Sequence, residues 1–161
     1  MNKKEQLKYI HKAKSRQKKL KEMCTELWQE IVKARANYKC EYPGCRRSAD
    51  HYKIDAHHFY TKGGYPHLRY DLDNGIALCY QHHTGSREGA HSDPLFKDKI
   101  LGKIEGYKAV RDEEWLRKLE WKANYPYKLS LEEELLYLKA EAKKIINKLP
   151  RRLVYKYELQ N

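Results

Sequence analysis

Long apolar runs are missing from this chain of 161 residues, and no uncharged stretch approaches the ~20 residues that a membrane-spanning helix needs. The N-terminus also lacks the apolar block of a secretory signal. The chain is therefore expected to be intracellular, with no membrane partner. In a reducing compartment its four cysteines read as thiols or metal ligands, not as a disulfide framework. Acid is in short supply as well. Lys and Arg number 34 against 22 Asp and Glu, a formal charge of +12. Such an excess suits a polyanionic partner, because cations that neutralise phosphates release condensed counterions. An anionic membrane surface is the rival reading of the same charge, and is not the partner expected. Internal repeats are absent, and the length fits one domain with helical extensions.

Met1 to Asn37 reads as helix. It is intensely basic as far as Lys21, either a solvated helix or an arm that contacts phosphates. Leu20, Met23, Leu27, Ile31 and Ala34 then recur at helical spacing, and Cys24 on this stripe is expected to be a packed thiol. From Tyr38 the texture shifts to short segments rich in Gly, Pro, Asp and Cys. Strands are predicted at Tyr52–Tyr60 and Gly75–Leu78, with a loop between them and a short helix from Cys79 or Tyr80. Asp93-Pro94 opens a helix that ends near Gly106, and another covers Ala109–Ala123. Ser130 and Glu133 form a capping box at the start of a last helix, Leu131–Lys148, which Pro150 stops ahead of a basic tail.

"CEYPGC" places Cys40 and Cys45 around a Pro-Gly turn, and "CYQH" adds Cys79 and His82 at a two-residue gap. Together they make a Cys3His set, the closed tetrahedral geometry of structural Zn2+, on which folding would depend. The first arm is looser than Cys-x2-Cys, so His51 stands as a substitute ligand.

The remaining histidines raise a different chemistry. His57-His58 lies on the first strand and His83 follows His82, with Asn74 between them. Phosphodiester hydrolysis needs an activated water, a cation on the developing charge and a stabilised leaving oxygen. A neutral imidazole is suited to take the proton from water, and further imidazoles can hold a divalent ion. Asp55 shares a strand face with His57 and could bind metal or simply pair with Lys or Arg.

"CEYPGC…DAHHF…LRYDLDNGIALCYQHHTG" resembles the HNH (ββα-metal) endonucleases of phages. It is most similar to the NinG/Rap recombination proteins, which act on branched DNA and Holliday junctions. The resemblance covers Cys40 to about Lys148. It implies His58 as general base, Asn74 as the central Asn, and His57 and His83 as ligands of a catalytic Mg2+ or Mn2+. His91 is the candidate third ligand, displaced by an insertion. NinG-type sequences carry Gly where His57 stands and no His at the position of His83, so this chain departs towards the broader HNH pattern.

The fold expected is α+β, mainly α. A small zinc-stapled ββα core (38–104) would sit between a basic N-terminal helix (1–37) and a C-terminal helical extension (105–161). The function expected is metal-dependent DNA endonuclease, on branched DNA or, alternatively, as a sequence-tolerant nicking or packaging-associated nuclease on duplex. A non-catalytic zinc module that binds nucleic acid is the alternative from another class. Arg69 and Lys62, on the loop between the strands, are candidates for phosphate contacts. Junction resolution would require a homodimer, for which the N-terminal stripe and Leu135, Leu138, Ala142, Ile145 and Leu149 offer material. A phage-encoded protein of this kind would work in the host cytoplasm.

Overall fold

The computed structural model describes residues 2–160 and is α+β, about half of it helical. Helix α1 runs from Lys3 to Arg35, 33 residues. Asn2 caps it: its side chain accepts from the Glu5 amide at 3.0 Å, while the Glu5 carboxylate accepts from the Asn2 amide at 2.8 Å. Only the second half of α1 has anything to pack on. Residues 2–19 are exposed throughout, and burial begins in earnest at Cys24, followed by Leu27, Trp28, Ile31, Val32 and Ala34. Cys24 is a packed thiol, pushed up to about 12 by burial and by Glu134 and Glu132.

Strands β1 (Ile54–His58) and β2 (Gly75–Cys79) form an antiparallel pair with Ile54 opposite Cys79 and His58 opposite Gly75. β1 is shorter than predicted. Phe59 still donates to the Asn74 carbonyl, but the Tyr60 amide turns to the Asn74 side chain and the ladder stops there. β2 extends one residue further than predicted, so Cys79 is a strand residue and not a helix start. All five β2 residues are buried beneath α1. Gly75 is required by that packing, since a Cβ there would lie 2.3 Å from a methyl carbon of Val32.

The chain then makes one π-helical turn, Gln81–Gly85, where an α-helix was predicted. Helix α2 is only Phe96–Ile100, within the longer span expected from Asp93 to Gly106. Helix α3 is Glu113–Asn124, starting where the Asp112 side chain accepts from the Trp115 amide at 2.7 Å. Helix α4 is Leu131–Lys144, with the expected Ser130–Glu133 capping box, and a 3-10 turn at Ile146–Lys148 replaces its last turn. α4 lies alongside α1 in the same direction: Cys24 Sγ reaches the Leu131 carbonyl, and Arg35 pairs with Glu141. The basic tail beyond Pro150 is not loose. It forms helix α5, Arg151–Lys156, whose Leu153 and Val154, with Tyr157 and Leu159 beyond, enter the core.

Leu138, Ala142 and Leu149 are buried in that same core, and Leu135 and Ile145 pack against it. One continuous core thus contains residues from the N-terminal helix, the hairpin and the C-terminal helices. Among the described residues no helix is long and apolar enough to cross a membrane.

Candidate metal centres and active site

The first centre is built on the edge of β2. The "CEYPGC" segment lies against that strand: the Glu41 amide donates to the Ala77 carbonyl at 2.8 Å, and the Ala77 amide donates to the Glu41 carboxylate at 2.7 Å. This sets Cys40 beside Cys79. A turn closed by the Cys45 amide on the Tyr42 carbonyl at 3.0 Å, with Gly44 at φ 77°, folds Cys45 back towards Cys40. The π-helical turn brings in His82. Its Nδ1 lies 3.5 Å from Cys40 Sγ and 3.4 Å from Cys79 Sγ. One donor atom from each of Cys40, Cys45, Cys79 and His82 falls within 4.8 Å of every other, so this group could hold a metal ion. His51 is exposed and outside the group.

Burial pushes the Cys40 thiol up to about 12. Burial works in the same direction on Cys79, but the Arg47 guanidinium, 3.5 Å from its sulfur, and contacts from His82 and Cys40 outweigh it and hold that thiol below its usual range. Tyr42 stacks on the His82 ring at 4.0 Å and 11°, which fixes the plane of the ligand. Tyr42 and Arg47 have no signal in the sequence, although both lie within or just beyond the Cys-x4-Cys arm. An aromatic stacked on a ligand and a cation on a thiolate have no spacing signature.

The second centre draws on the same turn. His57 and Asp55 share one face of β1, as the strand period requires. His83 meets them from the π-helical turn, and His91 joins despite the inserted residues. The loop closes on itself, with the Ala90 amide on the His82 carbonyl at 2.9 Å and the His91 amide on the His83 carbonyl at 3.4 Å. Ring centroids are 5.3 Å apart for His57–His83, 5.1 Å for His57–His91 and 5.0 Å for His83–His91. One ring nitrogen from each lies within 4.8 Å of the others, again close enough to hold an ion. Burial, then the neighbouring His83 and His91, push His57 down to about 3, and burial and His91 lower His83 also. Both are therefore neutral at pH 7, the form a ligand needs. Asp55 places a carboxylate oxygen 3.6 Å from His83 Nδ1 and also pairs with Lys53 at 3.3 Å. Phe96 stands edge-on to His57 and also packs against Tyr42, forming a wall shared by the two centres.

His58 points to the other side of β1. Its ring stacks on Trp28 at 4.0 Å and 10°, and Nε2 donates to the Arg69 carbonyl at 2.8 Å. A carbonyl can only accept, so Nε2 carries the proton and Nδ1 keeps its lone pair. Burial lowers the His58 pKa and outweighs the opposing hydrogen bond to Arg69, which keeps the ring neutral at pH 7. The neighbouring loop owes its shape to Asn74, which is fully buried. Asn74 Oδ1 accepts from the Tyr60 amide at 2.7 Å, and Nδ2 donates to the carbonyls of Tyr60 at 3.0 Å and Leu68 at 3.1 Å. Leu68 directly precedes the residue that holds His58.

The "YDLDN" segment is braced from outside by groups far away in sequence. The Trp28 indole donates to the Asp71 carbonyl, the Trp115 indole to the Asp73 carbonyl, and Lys122 bridges both carboxylates at 2.8 Å each. Of the loop cations, Lys62 is exposed on the turn after β1. Arg69 is half-buried and lines a cavity of about 480 Å3 with Lys21, His67, Tyr127 and Lys128. His67 itself bonds the Lys122 carbonyl at 3.0 Å, and His11 is exposed on α1.

The chain matches no protein-family model, no curated protein and no solved structure, so the chemistry of these two centres has to speak for the function.

Proposed function

We propose that the protein is a metal-dependent DNA endonuclease of the HNH type, with a structural Zn2+ at Cys40, Cys45, Cys79 and His82. The observation that carries this reading is the three-imidazole cluster of His57, His83 and His91, in which His57 is followed on its strand by His58, a neutral imidazole with a fixed tautomer. Three ligands leave coordination positions open, as catalysis requires and structural sites avoid. An ion bound there supplies positive charge to the scissile phosphate and the departing oxygen. First-row ions such as Mn2+, Ni2+ and Zn2+ suit imidazole better than Mg2+ does, which prefers oxygen ligands. Mn2+ is accordingly the better fit of the two ions expected from the resemblance.

In this reading the phosphate lies over the C-terminal end of β1, between His57 and His58. His58 Nδ1 accepts the proton of the attacking water while Nε2 stays tied to the Arg69 carbonyl, and the Trp28 ring keeps the imidazole in plane. Asn74 holds the loop that carries the carbonyl and touches no substrate. In-line attack breaks the bond to the 3′ oxygen and leaves 5′-phosphate and 3′-hydroxyl ends. Lys62 and Arg69 would make phosphate contacts from that loop. Branched recombination DNA is the proposed substrate, and ordinary duplex is the alternative.

The test takes protein with zinc retained and adds Mn2+, Mg2+, Ni2+ or Zn2+ to supercoiled plasmid, a four-way junction and a matched linear duplex. Metal-dependent cleavage with the junction cut fastest supports the reading in full. Equal rates on junction and duplex leave a general nuclease. No cleavage with any ion leaves a zinc-stapled module that only binds nucleic acid.

A further inference from the structure

The exposed first half of α1 is a surface that the two centres do not use. From Lys3 to Lys19 it extends about 25 Å, at 1.5 Å per residue, with every residue exposed. At roughly 100° per residue its charges sort into two stripes. Lys4, Lys8, Lys12 and Arg16 step along one side at four-residue intervals, and Lys19 falls in the same band. Lys3, Lys14, Lys18 and Lys21 form the other stripe, and Glu5 is the only acid between residues 2 and 21. Between the stripes lies an arc with no charge, made of Asn2, Gln6, Tyr9, Ile10, Ala13, Gln17 and Leu20.

That arc prolongs the face of Cys24, Leu27 and Ile31 that is buried in the core. Among the described residues nothing covers it beyond the start of α4, where Arg16 pairs with Glu132. Cations at i,i+4 repel one another and destabilise a helix. Arg16 has its partner in Glu132, but among the described residues Lys4, Lys8 and Lys12 have no acid paired with them and ask for an anion from outside.

The occupant can be chosen by charge and shape. A second copy of the helix would bring lysine stripes against lysine stripes. An acyl interface would receive Asn2, Gln6 and Gln17 on its apolar side. Duplex DNA meets both demands: its major groove, about 12 Å wide, admits one α-helix, and phosphates flank it on both sides. Gln and Asn are also side chains that can read adenine in that groove.

We propose that the free half of α1 is a major-groove helix, with its uncharged arc towards the base edges and its two lysine stripes on the phosphates of the two strands. The inference shares with the nuclease reading only the assumption that DNA is the partner. It needs no cleavage chemistry.

The experiment measures binding of the full chain, zinc-loaded and without added catalytic ion, to a 30-base-pair duplex as a function of salt. One variant replaces Lys4, Lys8, Lys12 and Lys19 by Ala, a residue that favours helix. A control replaces Lys103, Lys108, Lys143 and Lys144, which are exposed elsewhere. At a slope of about 0.9 per phosphate contact, the four-lysine arm variant should lose up to about 3.6 from the slope of log K against log salt and bind at least about tenfold more weakly, while the control changes the slope by less than about 1. Ala13→Glu, in the middle of the arc, should weaken binding as well. Equal slopes for wild type and arm variant overturn the proposal even if the protein cleaves DNA. So does a dimer in light scattering that Ile10→Glu dissociates without loss of DNA binding. Binding to vesicles of anionic lipid that exceeds binding to duplex at equal salt overturns it in favour of a membrane.

Discussion

Asn74→Ala removes one side chain and three hydrogen bonds. The Tyr60 amide loses its acceptor at 2.7 Å, and the carbonyls of Tyr60 and Leu68 lose donors at 3.0 and 3.1 Å. Asn74 is fully buried, so water cannot reach from its side without rearrangement. An unpaired buried backbone group costs about 1–3 kcal/mol. Tyr60 is only partly buried and can turn towards solvent, and the Leu68 carbonyl keeps the Asp71 amide at 3.3 Å, so the sum is less than additive. A loss of about 3–5 kcal/mol is expected, a large share of the roughly 5–15 kcal/mol that holds a domain together. The effect on chemistry follows from the next residue along: a loosened Leu68 frees the Arg69 carbonyl, and His58 loses the partner that fixes its tautomer. The assays are urea denaturation with zinc present and cleavage under saturating DNA. Stability should fall by the stated amount and kcat by about tenfold or more, with DNA affinity nearly unchanged, as for a group that acts on the transition state. A stability change below about 1 kcal/mol with wild-type cleavage would show that Asn74 does not hold the loop.

Chelation of zinc, or Cys79→Ser, should unfold the hairpin region. Structural zinc contributes about 10–16 kcal/mol in small peptides, as much as whole domains have to lose. Circular dichroism with elemental analysis checks this, and a metal-free chain with an unchanged melting temperature would contradict it. His83→Ala should leave the fold intact and weaken binding of a second ion, such as Mn2+, by about 10-fold or more in calorimetry. Glu134→Gln tests a buried carboxyl on α4. Burial first, then Asp71 and Glu133, raise it to about 7, so the folded state holds a proton that the unfolded state releases near its ordinary carboxylate pKa. Stability from this group is therefore full at low pH and is lost as pH climbs to about 7. The Gln variant should equal wild type near pH 4 and exceed it by about 1–3 kcal/mol at pH 8 in parallel denaturation curves. Equal stability at both values would remove the carboxyl from the account.

Ligand types at short spacing are legible in the sequence itself. The Cys-x4-Cys and Cys-x2-His arms meet, and so do His57 and His83, because a hairpin and one tight turn bring nearby sequence together. Spacing does not settle His91, since its approach depends on two backbone bonds that fold the insertion back onto the turn. Supports drawn from distant sequence stay hidden for the same reason: Trp28 under His58, Lys122 and Trp115 on the aspartates, Tyr42 on His82. Trp28 is visible in the sequence only as part of an apolar stripe, which says that a residue is buried and not what it is buried against. Helix ends depart from periodicity where local chemistry overrides it: Asp112 caps α3, which starts four residues after the predicted Ala109. The tail after Pro150 reads only as basic, yet Leu153, Val154, Tyr157 and Leu159 provide enough apolar surface to dock it as α5. Glu26 fastens it from the outside through Arg152, Lys156 and Tyr157.

The most direct test of the central claim compares wild type and His58→Ala for nicking of supercoiled plasmid with Mn2+, alongside duplex binding by both proteins. Loss of the general base is expected to slow cleavage by about 10²–10⁴-fold while binding and zinc content stay at wild-type values. Wild-type nicking by His58→Ala, or none by either protein with any divalent ion, would contradict the assignment of this hairpin as a nuclease centre.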